Sequence, residues 1–257
     1  MKKIIVSALA TLLLVIVSMT AHAAVSTKDF GSVKIHTYTT SGYVKGVVVE
    51  NDKLVVFDAF GNPDDDAGYR AFIDTLKKTI DRIVISHVDD HHWLGIEKNF
   101  PGVPIFSVDA AEIKEKPEGA SLPVNDIAED RLTIDGVNYE FMTNRDLGAW
   151  VIKMPDQKFA MVHHLGYVGV HVAIPPLAQR LEILKNLEVQ GYTWFVGGHG
   201  IAMDAKAFIE EVGAYYETVT DAVAQNKTPQ DAKKVIVEKY PNWGGDVLLD
   251  MFLPLFY

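Results

Sequence analysis

The chain reads as a single α/β domain in which two sheets are sandwiched between helices. Short runs rich in Val, Ile, Tyr and Thr alternate with segments of helical spacing along the length, and no low-complexity linker or repeat divides them. The balance of 257 residues, 48% hydrophobic and 23% charged, supplies a packed core and excludes a largely disordered chain.

Residues 1–23 stand apart from that domain. Lys2 and Lys3 precede an apolar run over residues 4–19, and Ala21, His22 and Ala23 follow as a small-x-small cleavage pattern. The run is shorter than the roughly 20 residues that cross a bilayer as a helix. A cleaved bacterial secretory signal is therefore expected, with residues 24–257 as the mature domain, no stable membrane anchor, and a periplasmic or secreted location. The chain has no Cys, so neither a disulfide nor lipid attachment after the signal is available.

The elements follow in order. Residues 33–39 and 43–50 read as an antiparallel pair around Thr40, Ser41 and Gly42, and Asn51 and Asp52 turn the chain into a third strand over 53–58. Tyr69, Phe72, Ile73 and Leu76 share one face of a helix over 64–78, and residues 82–86 form a short buried strand. A strand at 104–108 and a helix at 110–115 precede a loop containing Pro117 and Pro123. Four strands then run over 131–134, 137–142, 149–154 and 158–162, punctuated by Asp135-Gly136 and Pro155-Asp156. A helix over 177–187 leads to a strand at 193–196 that ends in Gly197-Gly198-His199-Gly200. Two helices close the chain at 205–224 and 230–239, the second with Thr228 as N-cap before Pro229.

Loss of the signal removes two lysines and no acid, taking the net charge from −10 to −12 over 234 residues. Nucleic-acid binding needs Lys and Arg to neutralise phosphates, and a chain this acidic with no basic cluster lacks them. A small-molecule substrate is the expected partner; the sequence names no protein partner.

The chemistry lies in the histidines. His87, His91 and His92 fall within six residues, His163 and His164 are adjacent, and His199 is flanked by glycines; each group follows a predicted strand. Strand ends on one sheet edge can converge on a single pocket, and without thiolates imidazole and carboxylate are the side chains that hold divalent metals. His87-Val88-Asp89-Asp90-His91-His92 is thus a candidate ligand set. His36 and His171 take the ordinary reading of a hydrogen-bonded structural histidine.

The strand end Val55-Val56-Phe57-Asp58, the helix after it, the strand into His87 and the late Gly198-His199-Gly200 together resemble the metallo-β-lactamase-fold superfamily of metallohydrolases. That family carries a His-x-His-x-Asp-His motif followed by Gly; His87, His92 and Gly95 match it, while Asp89 stands at its second His and His91 at its Asp. The resemblance implies an αββα sandwich of two mixed or antiparallel sheets, a divergent member, and a remodelled rather than dead site. By carry-over, the family's third metal His falls on Asp146 and its late Asp or Cys on His164, with His163 the alternative.

The ligand set so implied is His87, Asp89, His91, His92, Asp146, His164 and His199. With family geometry retained, His87, Asp89 and Asp146 form one site, open to water, and His91, His92, His164 and His199 gather at the other, closed by four imidazoles. One or two zinc ions are expected, with iron or manganese as alternatives. Asp89 or Asp90 would orient the nucleophilic water or take its proton. Asp58 would orient a ligand by hydrogen bonding or simply cap a turn. Trp93 and Trp150 either line a substrate wall or pack in the core, and Tyr215, Tyr216 and residues 252–257 seal a C-terminal helix.

The expected function is an exported metal-dependent hydrolase of a small ester, lactone, amide or related molecule. A β-lactam is a poorer match because the ligand pattern fits none of the usual lactamase sets. An iron-dependent oxidoreductase of the same fold and a non-catalytic metal- or ligand-binding protein are the alternatives.

Overall fold

The computed structural model describes residues 24–40, 43–61 and 63–257; the expected secretory signal lies outside the described residues. Within them, no helix is long and apolar enough to cross a membrane.

Two sheets carry the domain. The first has seven strands in chain order: β1 Ala24–Asp29, β2 Lys34–Thr40, β3 Tyr43–Glu50, β4 Leu54–Phe57, β5 Ile80–Ile85, β6 Ile105–Ser107 and β7 Val124–Asp126. β1 to β4 are antiparallel, and from β4 onward neighbours are parallel, joined through helices α1 Pro63–Thr75, α2 Ile96–Asn99 and α3 Ala110–Glu115. The second sheet has six strands: β8 Arg131–Ile134, β9 Val137–Asn144, β10 Ala149–Met154, β11 Phe159–His163, β12 Trp194–Val196 and β13 Met203–Asp204. β8 to β11 form the expected meander, and β12 joins β11 in parallel after helix α4 Leu177–Val189. Helices α5 Ala205–Gln225, α6 Pro229–Lys239 and α7 Leu248–Phe252 complete the chain.

Strand alternation assigns the faces. In β4, Val55 and Phe57 enter the core between the sheets with Tyr139, Phe159 and Met161, whereas Leu54 and Val56 face α1 with Tyr69 and Ile73. In β11, Phe159 and Met161 point between the sheets, whereas Ala160 and Val162 meet Leu184, Phe208 and Val212 of α4 and α5. Both faces of these strands are buried, so they read as unbroken apolar runs. The result is the α/β sandwich expected from the sequence. Thr228 caps α6 by accepting a hydrogen bond from the Asp231 amide at 3.2 Å.

The elements missed by pattern reading are short or peripheral. β1 is an exposed edge strand, held by its ladder to β2 rather than by burial, and β7 and β13 have three and two residues. β1 buries neither face and so shows no alternation, and β7 and β13 are too short to show one.

The parallel pairs decide where the chemistry sits. β4 and β5 end together in the first sheet, and β11 and β12 end together in the second. Asp58, Ser86 and His87 therefore follow one pair of strand ends, and His163, His164 and Gly197 to Gly200 follow the other.

Candidate metal centre

Three imidazoles form the first group. His91 and His92 lie in the 3-10 turn Asp90–His92 after β5, and His199 lies in the glycine turn after β12. One nitrogen of each lies within 4.8 Å of the others. The Nε2 atoms of His91 and His199 are 3.2 Å apart. Two imidazole nitrogens bound about 2.05 Å from one tetrahedral zinc would be about 3.3 Å apart, so this spacing, which is also that of an N–H···N hydrogen bond, would let the two rings share a cation.

The third ring is oriented from behind. His92 is 3% exposed, and its Nδ1 donates to Asp58 Oδ2 at 3.0 Å, which leaves the ring's lone pair on Nε2. Asp58, also 3% exposed, is held in turn by Ser86, whose amide donates to Oδ1 at 2.8 Å and whose hydroxyl donates to Oδ2 at 2.6 Å. With its hydrogen committed to Asp58, the Ser86 hydroxyl oxygen accepts from His163 Nε2 at 3.0 Å. Burial raises the Asp58 carboxyl, and the His163 imidazole and the Ser86 hydrogen bonds oppose that rise. Asp58 sits at φ 65°, a left-handed conformation that costs a non-glycine residue about 1 kcal/mol or more.

His87, Asp89 and His164 form the second group, again with one ligand atom each within 4.8 Å. His164 donates from Nδ1 to the Gly148 carbonyl at 2.7 Å, so its lone pair is also on Nε2. His87 packs edge to face against Trp150 at 4.1 Å, and Trp150 Nε1 donates to buried Asp109. His87 Nδ1, 3.3 Å from Asp89 Oδ2, accepts from the Asp89 amide at 3.1 Å, and its Nε2 is buried with no hydrogen-bond partner among the described residues, an arrangement that ordinary packing avoids. Burial, then the neighbouring His164, pushes the His87 imidazole far below its ordinary value, keeping it neutral.

This grouping departs from the expected one at two places. Asp146 is not brought into either group: Asn144 caps the turn Arg145–Leu147 by accepting from the Leu147 amide at 3.1 Å, Leu147 takes the buried position, and Asp146 is left exposed. His164, expected beside His91, His92 and His199, stands instead with His87 and Asp89, because its backbone at φ 60° and its bond to Gly148 turn the ring that way. Among the described residues the imidazole group thus has three members rather than four, and a zinc held there would have a fourth position for water. His163 lies behind the site on Ser86, packed so closely on Gly198 that a Cβ there would be 2.5 Å from its Nδ1.

Asp89, Asp90, His91, His164 and His199 all line one pocket of about 560 Å³. Asp90 is exposed, with Oδ1 3.8 Å from His91 Nδ1. Trp93 and Trp150 are buried and absent from the pocket lining, so they pack in the core. His36 bonds to Thr27 and Glu50, and His171 is fully buried near Tyr215. Pattern reading passed over Ser86 and Arg180. Arg180 was visible as a charged residue in the apolar stripe of α4 beside Leu177, Leu184 and Leu187, and it is 1% exposed.

Solved structures of the same architecture come from metallo-β-lactamases. The enzyme from Pontibacter korlensis matches with a TM-score of 0.52 at 16% identity, covering 78% of this chain and 96% of that one. DIM-1 metallo-β-lactamase matches with a TM-score of 0.54 at 15% identity, covering 77% and 99%. The chain has the metallo-β-lactamase fold. FIM-1 from Pseudomonas aeruginosa, solved in a mono-zinc form, matches at 15% identity with a TM-score of 0.51 over 75% of this chain and 95% of that one. No protein-family model and no curated protein matches the sequence.

On the metallo-β-lactamase fold, the two departures from the family motif acquire positions. Asp89 stands with His87, and His91 stands with His92, so each altered residue is next to a matched one and within ligand distance of it. Gly95, the motif glycine, lies where a Cβ would be 1.8 Å from the Phe60 carbonyl, which excludes any side chain.

Proposed function

We propose that the chain is an exported metal-dependent hydrolase that cleaves an ester, lactone, amide or related bond of a small molecule. The observation that carries this reading is the pair of three-ligand groups, His91–His92–His199 and His87–Asp89–His164, opening on one pocket. The first would hold zinc through imidazole nitrogen, and the second would hold zinc or a cation more tolerant of oxygen, such as iron or manganese. A cation in such a site lowers the pKa of a bound water toward about 7 and polarises a substrate carbonyl.

The chain's own groups do the rest. Asp58 and the Gly148 carbonyl fix the tautomers of His92 and His164. Asp90, at the pocket mouth and outside both groups, takes the proton of the attacking water and returns it to the leaving group. Asp89, as a ligand, orients that water. Export to the periplasm or medium rests on the signal-like residues 1–23.

Elemental analysis of the mature protein, produced with export and without chelator, tests the reading. About two zinc ions per chain, with hydrolysis of esters or lactones lost on chelation, is the expected result. No metal after careful repletion would overturn it. A second reading has one specific support: His87, Asp89 and His164 are two histidines and a carboxylate, the set that holds non-haem iron. Iron in the analysis together with oxygen consumption would select an oxidoreductase.

A further inference from the structure

Helix α7 presents two faces. Leu249 and, one turn on, Leu253 are buried in the core formed with α5 and α6. Leu248, Met251 and Phe252 instead line the pocket that holds the candidate ligands. Val247 joins them from the preceding residue, and Val172 and Ile174 close the wall from the segment after β11. Phe252 packs on the cluster of Tyr167, Val170 and Val172, seating the helix on the body at the pocket. Val247 and Met251 remain 66% and 65% exposed, apolar surface directly beside a polar site.

The charge of this pocket narrows what fits. Its ionisable lining is Asp89, Asp90, Tyr167 and histidines, and among the described residues that line it there is no Lys or Arg. A substrate carboxylate held against this wall, away from the reacting bond and the cations there, would meet apolar side chains with no Lys or Arg to offset its desolvation. An alkyl chain in the same place replaces water on both surfaces and gains free energy with its length. The pocket, about 560 Å³, is of a size that takes a small-molecule substrate.

We infer that the α7 wall binds the apolar acyl part of a neutral ester or lactone, so that the preferred substrate is an uncharged acyl ester rather than a β-lactam that carries a carboxylate beside the reacting bond. The inference rests on the hydrolase reading above and names its substrate class. Water adds its oxygen to the acyl carbon and gives up a proton to Asp90. The bond from acyl carbon to alkoxy oxygen breaks with its electron pair on that oxygen, which takes the proton.

The test compares p-nitrophenyl acetate, butyrate and octanoate with benzylpenicillin on the zinc-loaded mature chain. The expected kcat/KM rises about two- to fourfold per methylene along the ester series, and benzylpenicillin is a poor substrate. Met251→Ser and Val247→Ser, at exposed positions that folding tolerates, lower the octanoate-to-acetate ratio; Leu255→Ser, exposed on the following turn and outside the pocket lining, leaves that ratio in place. Binding is read without turnover on metal-free protein carrying 13C-methyl methionine, in which 2-decanone shifts the Met251 signal and 2-butanone does not. Flat ester rates, or preferred hydrolysis of benzylpenicillin, would overturn the inference and leave the hydrolase reading standing. An unmoved Met251 signal would also overturn it, and loss of all hydrolysis at full zinc loading would overturn both.

Discussion

Arg180 donates through its guanidinium to the main-chain carbonyl of His164, the residue held at φ 60° beside the second ligand group. The same guanidinium reaches the carbonyls of Ile174, Pro175 and Leu147. A 1% exposed cation thus spends its hydrogen bonds on backbone, tying together the segments that carry His164, the turn before Gly148 and one end of the substrate wall. Its planar fork suits several fixed acceptors at once, which an ammonium on a flexible stem does not.

Arg180→Met is expected to cost about 3 kcal/mol or more, because several buried carbonyls lose their donor. Arg180→Lys recovers only part of that. Denaturant titration reads the stability, and metal content of the folded fraction reads the disturbance at His164.

Removing single ligands separates the two groups. His199→Ala and His91→Ala should each lower metal content by about one ion and leave the His87–Asp89–His164 set, whereas His164→Ala should remove the other ion. Asp146→Ala, exposed and outside both groups, should retain full metal content. Loss of an ion in the Asp146 variant would restore the partition expected from the family alignment.

Asp58 acts through His92. Asp58→Asn replaces the acceptor of the His92 Nδ1 proton with a group able to donate, so the tautomer is no longer enforced. Metal affinity at the imidazole group should fall about 10- to 100-fold with little change at the other. Competition against a chromophoric chelator measures both.

The metal-free protein should lose stability in mild acid. Burial holds His163 and His171 below the ordinary imidazole value of 6.5, so the folded chain stays unprotonated where the unfolded chain takes up protons. Their contribution is fully present above about pH 6.5. It declines as pH falls toward their lowered folded values, by up to about 1.4 kcal/mol per pH unit for each histidine. Chemical denaturation between pH 7.5 and 5 checks the sign; rising stability in that interval would contradict it.

Gly198→Ala isolates packing from ligation. A Cβ at Gly198 would fall 2.5 Å from His163 Nδ1, so either the imidazole leaves Ser86 or the glycine turn moves, carrying His199 with it. Reduced metal binding in a variant that retains its ligands is the expected outcome, read by the same competition.

Much of this protein was legible in residue order. The strand runs at 131–134, 149–154 and 193–196, the helical spacing before β5, and Thr228 ahead of Pro229 all act over a few neighbours, and the structure keeps them. The candidate donor types are legible too, since His87, Asp89, His91, His92, His164 and His199 stand just after strands. Their division into two groups was not. Whether His164 or Asp146 stands beside His87 depends on a left-handed backbone, a bond to Gly148 and the buried Leu147, relationships that periodicity does not encode. The same holds for the wall of α7: Leu248 and Leu249 are both apolar leucines, and only the packing of the last helix on α5 and α6 sends one into the core and the other to the pocket. Local sequence determined the elements and the kinds of donor atom, because propensity and ligand chemistry belong to single residues; tertiary structure decided which donors meet, because that depends on where separate strand ends arrive.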